Sequence, residues 1–218
     1  MGKSFYKMDV MNRIILVVGG SGQFAKVVCE AAFLSGLSVV GFITAKPRSP
    51  SVELHCPELD FSAAMQAASE GIEFVAAAGS NDHRYAGANL VVQWGGRLRS
   101  VVHPAAMVSP SAVLGSGSIL LAGAIVGTGA ILGQSVIVNH GASIDHDCVI
   151  SDFVNLSPGA RLGGSVSVGA GVSIGLNAVV LQGLSLSENS IVGAGAVVTR
   201  NVEAGTTVVG VPARPTNK

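Results

Sequence analysis

Charge is scarce in this chain and balanced where it occurs. Asp, Glu, Lys and Arg make up 12% of the 218 residues, with 13 bases against 13 acids. A chain of zero net charge and no basic stripe has no electrostatic footprint for nucleic acid. Cysteine is nearly absent too. Cys29, Cys56 and Cys148 are odd in number and show neither a disulfide framework nor a metal-knuckle spacing. Long apolar runs are missing: the aliphatic residues come in short stretches broken by Gly and Ser, never the ~20 consecutive apolar residues of a membrane span, so no membrane insertion is expected. Residues 1–12, MGKSFYKMDVMN, lack the apolar core and small-residue cleavage site of a secretory signal and read as a disordered leader. These absences point to a soluble, cytoplasmic protein.

What the chain has instead is period. From Val102 an aliphatic residue recurs at every sixth position, through Val108, Leu114, Leu120, Val126 and onward to Val198, over 17 consecutive hexads without a slip. Four residues after each stands a smaller side chain, such as Ala106, Ala112, Ser118, Ala124, Ala130 or Cys148, and glycine crowds the second position. A hexapeptide period is the signature of a parallel β-helix in which each hexad is one short strand plus a turn, and three hexads close a coil. The aliphatic residue fills the interior, the small residue packs beside it and glycine or a small polar residue allows the corner. Cys148 falls in a small-residue slot and reads as core filler.

Upstream the pattern alternates strand and helix. Ile14–Val18 is a wholly apolar run suited to a buried parallel strand, and Gly19-Gly20-Ser21-Gly22 leads into an amphipathic helix that Gly36 stops. Val39–Ile43, a helix near 61–69, a strand over 72–77 and a helix over 82–94 capped near Asn81 or Asp82 follow, and Leu98–Val102 is a fourth strand candidate. The expected fold class is therefore an α/β Rossmann-like N-terminal domain, 13–102, followed by an all-β parallel β-helix, 103–218. The glycine turn suits a phosphate cradle, with Gly19, Gly20, Ser21, Gly22 and Gln23 around the helix N-terminus. The dinucleotide version wants an acidic residue at the end of the second strand, where this chain has Thr44-Ala45-Lys46; NAD is therefore disfavoured against another nucleotide ligand.

Within the β-helix one dense polar cluster stands out, Asn139-His140-Gly141-Ala142-Ser143-Ile144-Asp145-His146-Asp147. Asp145 or Asp147 can take the Nδ1 proton of His146 and leave Nε2 as a base. His140 holds the same hexad slot one side earlier, so the two imidazoles point about 120° apart and do not share a ligand within a chain.

The segment NHGASIDHDCVISDFVNLSP (139–158) closely resembles the active-site segment of the bacterial nucleotide-sugar acetyltransferases of the sialic-acid and bacillosamine type. HPAAMVSPSAVLGSGS, IVGAGAVVTRNV and VVGVPAR resemble the same family, over roughly 13–214. The resemblance implies a left-handed β-helix, acetyl-CoA as co-substrate, no metal, a nucleotide-sugar substrate and a homotrimer with active sites between subunits. It places the general base on His146, its orienting acid on Asp147, an oxyanion-binding N–H on Gly164, a sugar-pocket residue on Asn139 and acetyl-CoA near Leu176 and Ala194. Many relatives have a second, acetyl-CoA-touching histidine where this chain has Asn155, which is expected to hydrogen-bond without acting as a base. Relatives also carry a histidine after the last turn glycine and acids after the second strand, where Gln23-Phe24 and Thr44-Ala45-Lys46 stand here. Those departures leave room for a GDP- or dTDP-sugar, a GDP-perosamine N-acetyltransferase being one close fit.

The expected function is N-acetylation of a nucleotide-linked amino sugar. The alternatives are O-acetylation of a sugar hydroxyl, since the same histidine serves either acceptor, and a non-catalytic nucleotide-sugar-binding scaffold. A zinc enzyme of the γ-carbonic-anhydrase type is a further rival, but its His-x4-His pair is here His-x5-His between His140 and His146.

Overall fold

The computed structural model describes residues 12–19, 22–44 and 54–216. The leader, residues 1–11, and the turn and loop residues Gly20, Ser21 and Lys46 lie outside them.

The N-terminal unit is built on a three-stranded parallel sheet in the order β2-β1-β3, with β1 at Arg13–Val18, β2 at Ser38–Thr44 and β3 at Glu73–Ala77. Both sides of β1 are buried, which is why its sequence is a continuous apolar run rather than an alternation. Ile14, Leu16 and Val18 face α1 (Gln23–Leu34), while Ile15 and Val17 face the side covered by α2 (Phe61–Ser69) and α3 (Asn81–Gln93). Asp60 caps α2, its Oδ1 accepting from the Ala63 N–H at 2.8 Å. The cap of α3 is Ser80, not Asn81, whose side chain is used elsewhere.

Leu98 makes only an isolated bridge to Phe74. Val101–Val102, the other end of the fourth strand expected there, ladders instead onto Ile119–Leu120 as the first rung of the parallel β-helix. We call this strand β4. Two-residue strands then recur every sixth position, and as far as Val179–Val180 each pairs in parallel with the strand 18 residues on: Met107–Val108 (β5) with Ile125–Val126, and Val113–Leu114 (β6) with Ile131–Leu132. The result is a three-sided prism. Its first face is stacked on β4, its second on β5 and its third on β6.

The second residue of each strand, the aliphatic hexad position, points inward; Leu120, Ile144, Leu156 and Ile174 are fully buried. The small residues Ala124, Ala130, Ala142 and Cys148 close the same core, and the Cys148 thiol donates to the Gly163 carbonyl at 3.2 Å.

The corners are made mostly by glycine or a small polar residue, but not at the second hexad position that glycine crowds. The left-handed backbone falls on the fourth hexad position, as at Gly123 (φ 72°), Gly129 (φ 69°), Asp147 (φ 57°) and Asn177 (φ 52°). The second-position glycines serve close stacking instead. A Cβ on Gly127 would stand 2.8 Å from the Asp145 carbonyl carbon of the next coil, and one on Gly163 would stand 2.8 Å from the Gln182 amide nitrogen.

The two units share an apolar core. Val101, Ile119 and Ile137, the outward residues at the start of the first face, are fully buried in one cluster with Val28, Ala32 and Leu16. On the other two faces most of the corresponding outward residues are exposed: Met107, Ile125, Val113, Ile131 and Val149.

Candidate active site

His146 occupies the corner that joins the second face to the third, between Ser143–Ile144 and Val149–Ile150. Its two acidic neighbours divide the work. Asp147, turned into the left-handed region, sets Oδ2 2.9 Å from His146 Nδ1. Asp145 Oδ1 accepts the backbone N–H of His146 at 2.8 Å. A carboxylate on Nδ1 holds the proton there and leaves the Nε2 lone pair free. The hydrogen bond to Asp147, with the charge of Asp145 behind it, raises the imidazole pKa above its ordinary value. The ring is exposed, so this is a shift by partners, not by burial.

Gly164 stacks on His146 one coil later. A Cβ built on it would run into His146 Nε2, so only glycine leaves the base uncovered. Its own amide is the second feature. At the same hexad slot, the N–H groups of His140 and His146 are taken by Asn139 Oδ1 and Asp145 Oδ1, the side chains just before them. Before Gly164 stands Gly163, which has no side chain, and the Gly164 N–H has no acceptor among the described residues. A lone pair and a free N–H thus meet at one corner. That pairing can take a proton from a nucleophile and stabilise the oxyanion formed beside it.

The other residues expected at the site are distributed. Asn139 and His140 lie one corner earlier, and Leu176 and Ala194, both exposed, continue that same corner in later coils. A single chain therefore does not bring them to His146. Asn155 lies on the first face, where its Nδ2 donates to the Gly79 carbonyl at 3.2 Å and its Oδ1 is buried without a partner; it faces the N-terminal unit rather than the corner of His146.

In the N-terminal unit, Gly22 has φ 72° as the N-cap of α1, with its N–H on the Gly19 carbonyl at 3.3 Å and Gln23 exposed beyond it. A Cβ on Gly19 would stand 2.8 Å from His83 Cβ and 2.9 Å from Ala78 Cβ, so α3 closes tightly on this turn. The acid missing from the end of the second strand in the sequence is present in space. Thr44 Oγ1 donates to Glu58 Oε1 at 2.6 Å, at the rim of a cavity of about 410 Å³ lined by Thr44, Glu58, Asp60 and Phe61. Residue order alone therefore does not disfavour a dinucleotide. Glu58 was missed because it arrives from 14 positions on, carried by a backbone bridge to Phe42 that has no local signature.

No protein-family model and no curated protein sequence matches the chain. Solved structures do. The acetyltransferase domain of PglB from Neisseria gonorrhoeae, in complex with acetyl coenzyme A, is 32% identical with a TM-score of 0.85, covering 94% of this chain and 99% of that one. The chain belongs to the bacterial sugar acetyltransferases. A variant of perosamine N-acetyltransferase from Caulobacter crescentus, in complex with CoA and GDP-perosamine, gives 32% identity and a TM-score of 0.87 over 94% of this chain and 97% of that one. WeeI from Acinetobacter baumannii gives 28% and 0.81 over 94% and 100%.

The acetyltransferase is accordingly an acyltransferase that takes acetyl-CoA as its donor. Among its described residues, no group of three or more His, Cys, Asp or Glu is placed to hold a metal ion, and no helix is long and apolar enough to cross a membrane.

Proposed function

We propose that the acetyltransferase transfers the acetyl group of acetyl-CoA to the amine of a nucleotide-linked 4-amino-4,6-dideoxy sugar of the GDP-perosamine type. The carrying observation is the corner at which His146 Nε2 and the unpaired Gly164 N–H meet. The N-acetyl assignment is supported by the perosamine N-acetyltransferase among the similar structures.

In this reading the Rossmann-like unit over 13–102 holds the nucleotide at the glycine turn, with Gln23, Thr44 and Lys46 near it and Asn139 lining the sugar pocket. The sugar amine attacks the thioester carbonyl carbon as His146 Nε2 takes its proton. The tetrahedral oxyanion rests on the Gly164 N–H. The C–S bond then breaks and the proton passes from His146 to the departing CoA thiolate. Asp147 keeps the imidazole oriented throughout. Positioning supplies about 7–11 kcal/mol of barrier and a base about 10²–10⁴-fold.

The β-helix is left-handed in this reading and assembles as a cytoplasmic homotrimer. Val113, Ile131 and Val149 form an exposed aliphatic row in register up the third face, with Met107 and Ile125 on the second. Such a row is the kind of surface that a neighbouring prism covers. Packing of this kind brings the Leu176–Ala194 corner of one chain toward the His146 corner of the next, with acetyl-CoA between them. Asn155, its amide engaged by Gly79, belongs to the junction between units.

The test is release of CoA from acetyl-CoA with UDP-, GDP- and dTDP-linked 4-amino sugars. Turnover of one of them, reduced by about 10²–10⁴-fold in His146→Ala, is the expected result. Reaction only with a free hydroxyl sugar would move the assignment to O-acetylation. Binding of a nucleotide sugar without any turnover would make the protein a scaffold.

A further inference from the structure

Arg84 is the largest fully buried side chain among the described residues, and no carboxylate answers its charge. Burial draws its pKa down to about 10, so the guanidinium stays charged at neutral pH. A buried cation persists only where its donors are satisfied, and here the partners are mostly backbone carbonyls. Nε donates to the Ser135 carbonyl at 2.8 Å, Nη2 to the Phe153 carbonyl at 2.7 Å and to Asn81 Oδ1 at 2.9 Å, and Nη1 to the Ala78 carbonyl at 3.1 Å. Asn81 Nδ2 in turn donates to the Gly171 carbonyl at 2.7 Å.

The three β-helix acceptors are not a random set. Ser135, Phe153 and Gly171 are the left-handed corner residues of three successive coils, at φ 53°, 57° and 69°. Their N–H groups bond to the preceding coil, at Ser116, Gln134 and Asp152, but no backbone N–H among the described residues takes their carbonyls. Two side chains on one turn of α3 therefore climb three coils of the prism. His146 and Gly164 both lie on the stretch of chain between Ser135 and Gly171. The other end of the same cluster is Ala78, whose Cβ, with that of His83, is what a Cβ on Gly19 would strike. A continuous path of close contacts runs from the glycine turn through Ala78, Arg84 and Asn81 to the corners of the β-helix.

We propose that Asn81 and Arg84 are positioning residues. They hold the glycine turn, and with it the nucleotide end of the acceptor, in register with the β-helix that carries His146. Neither touches a reacting atom. The inference rests on the nucleotide-sugar reading above. Displacing one reactant by about 1 Å from its attack geometry costs about 10²-fold in rate, so a clasp that sets the distance between two binding elements governs turnover while leaving each element able to bind.

The test compares the full-length protein with Arg84→Lys, which keeps the charge but cannot span two coils, and with Asn81→Ala, which removes one rung. The acceptor is whichever nucleotide amino sugar the wild type acetylates. The expected result is a kcat lowered by about 10²-fold in Arg84→Lys and less in Asn81→Ala, with the KM for acetyl-CoA unchanged. Amide hydrogen exchange over residues 78–86 is expected to speed by about tenfold, whether or not any sugar reacts. A merely structural role would lower the unfolding temperature and leave kcat alone. A kcat within about twofold of wild type in both variants, measured below their unfolding temperatures, would overturn the proposal. If Arg84→Lys does not fold, Asn81→Ala decides by the same readouts; failure of both to fold would also overturn it, reducing the pair to holding the fold. If the wild type acetylates no nucleotide sugar, the functional reading fails, while the exchange measurement still tests the clasp.

Discussion

At the scale of single residues, the active corner depends on small differences between equivalent positions. The slot that carries His146 recurs in every coil, and Gly164 and His140 fill it elsewhere. What distinguishes His146 is Asp147 Oδ2 on its Nδ1, and what distinguishes Gly164 is its own missing side chain, which leaves His146 Nε2 uncovered. The Asp147 bond has a consequence for pH. It raises the His146 pKa in the free enzyme, and the base acts only when neutral, so kcat/KM is expected to rise with pH through an inflection above the ordinary imidazole value. Asp147→Asn removes that carboxylate and should move the inflection to lower pH while lowering the plateau rate, because nothing then fixes the productive tautomer. A pH–rate profile of the two proteins checks this; an inflection that stays in place would show that Asp147 does not set the basicity of His146. The pairing of His146 with an adjacent acid was legible because both residues lie in one polar cluster of an otherwise apolar repeat. Residue order left Asp145 and Asp147 open and only the family resemblance pointed to Asp147; the left-handed turn there is what brings its carboxylate to Nδ1.

At the scale of elements, the hexad explains itself once the coils are stacked. Glycine is frequent at the second position because the backbone of the next coil passes there, and glycine at the fourth position because the chain turns left-handed there. The two uses predict different costs. Gly127→Ala places a methyl 2.8 Å from the next coil and should lower stability by about 1–3 kcal/mol through overpacking. At Gly141, where φ is 63° and nothing lies within 4 Å of a Cβ, the cost is backbone strain alone, about 1 kcal/mol. Denaturant midpoints of the two variants separate these causes, and equal, negligible shifts would show that the coils move apart freely. The helices were legible in the sequence, α3 included, although its apolar pattern is the weakest of the three. A charged residue in its buried row weakens the pattern, and the partners of Arg84 are carbonyls, which every residue carries and no sequence advertises.

At the scale of the whole molecule, the start of one face of the prism is already covered and the other two faces are not. The N-terminal unit buries Val101, Ile119 and Ile137, whereas Ile131 and Val149 on the third face remain 49% exposed. Ile131→Glu puts a charge in the middle of that row, and a trimer sealed there should dissociate to monomers and lose acetyl transfer with it. Light scattering after size-exclusion chromatography checks the mass; an unchanged mass would remove this face from the interface. The sequence by itself determined the β-helix and its start near residue 102, because a period of six over 17 hexads leaves one backbone path that turns the aliphatic residue of each hexad inward, and it marked the candidate base as part of the one dense polar cluster in that repeat. Only the tertiary structure decided that Glu58 stands at the end of β2, that Asn155 faces Gly79 and that Arg84 binds three segments far apart in the chain. Those are pairings between distant stretches, made by backbone geometry and burial, and neither leaves a trace in local residue order.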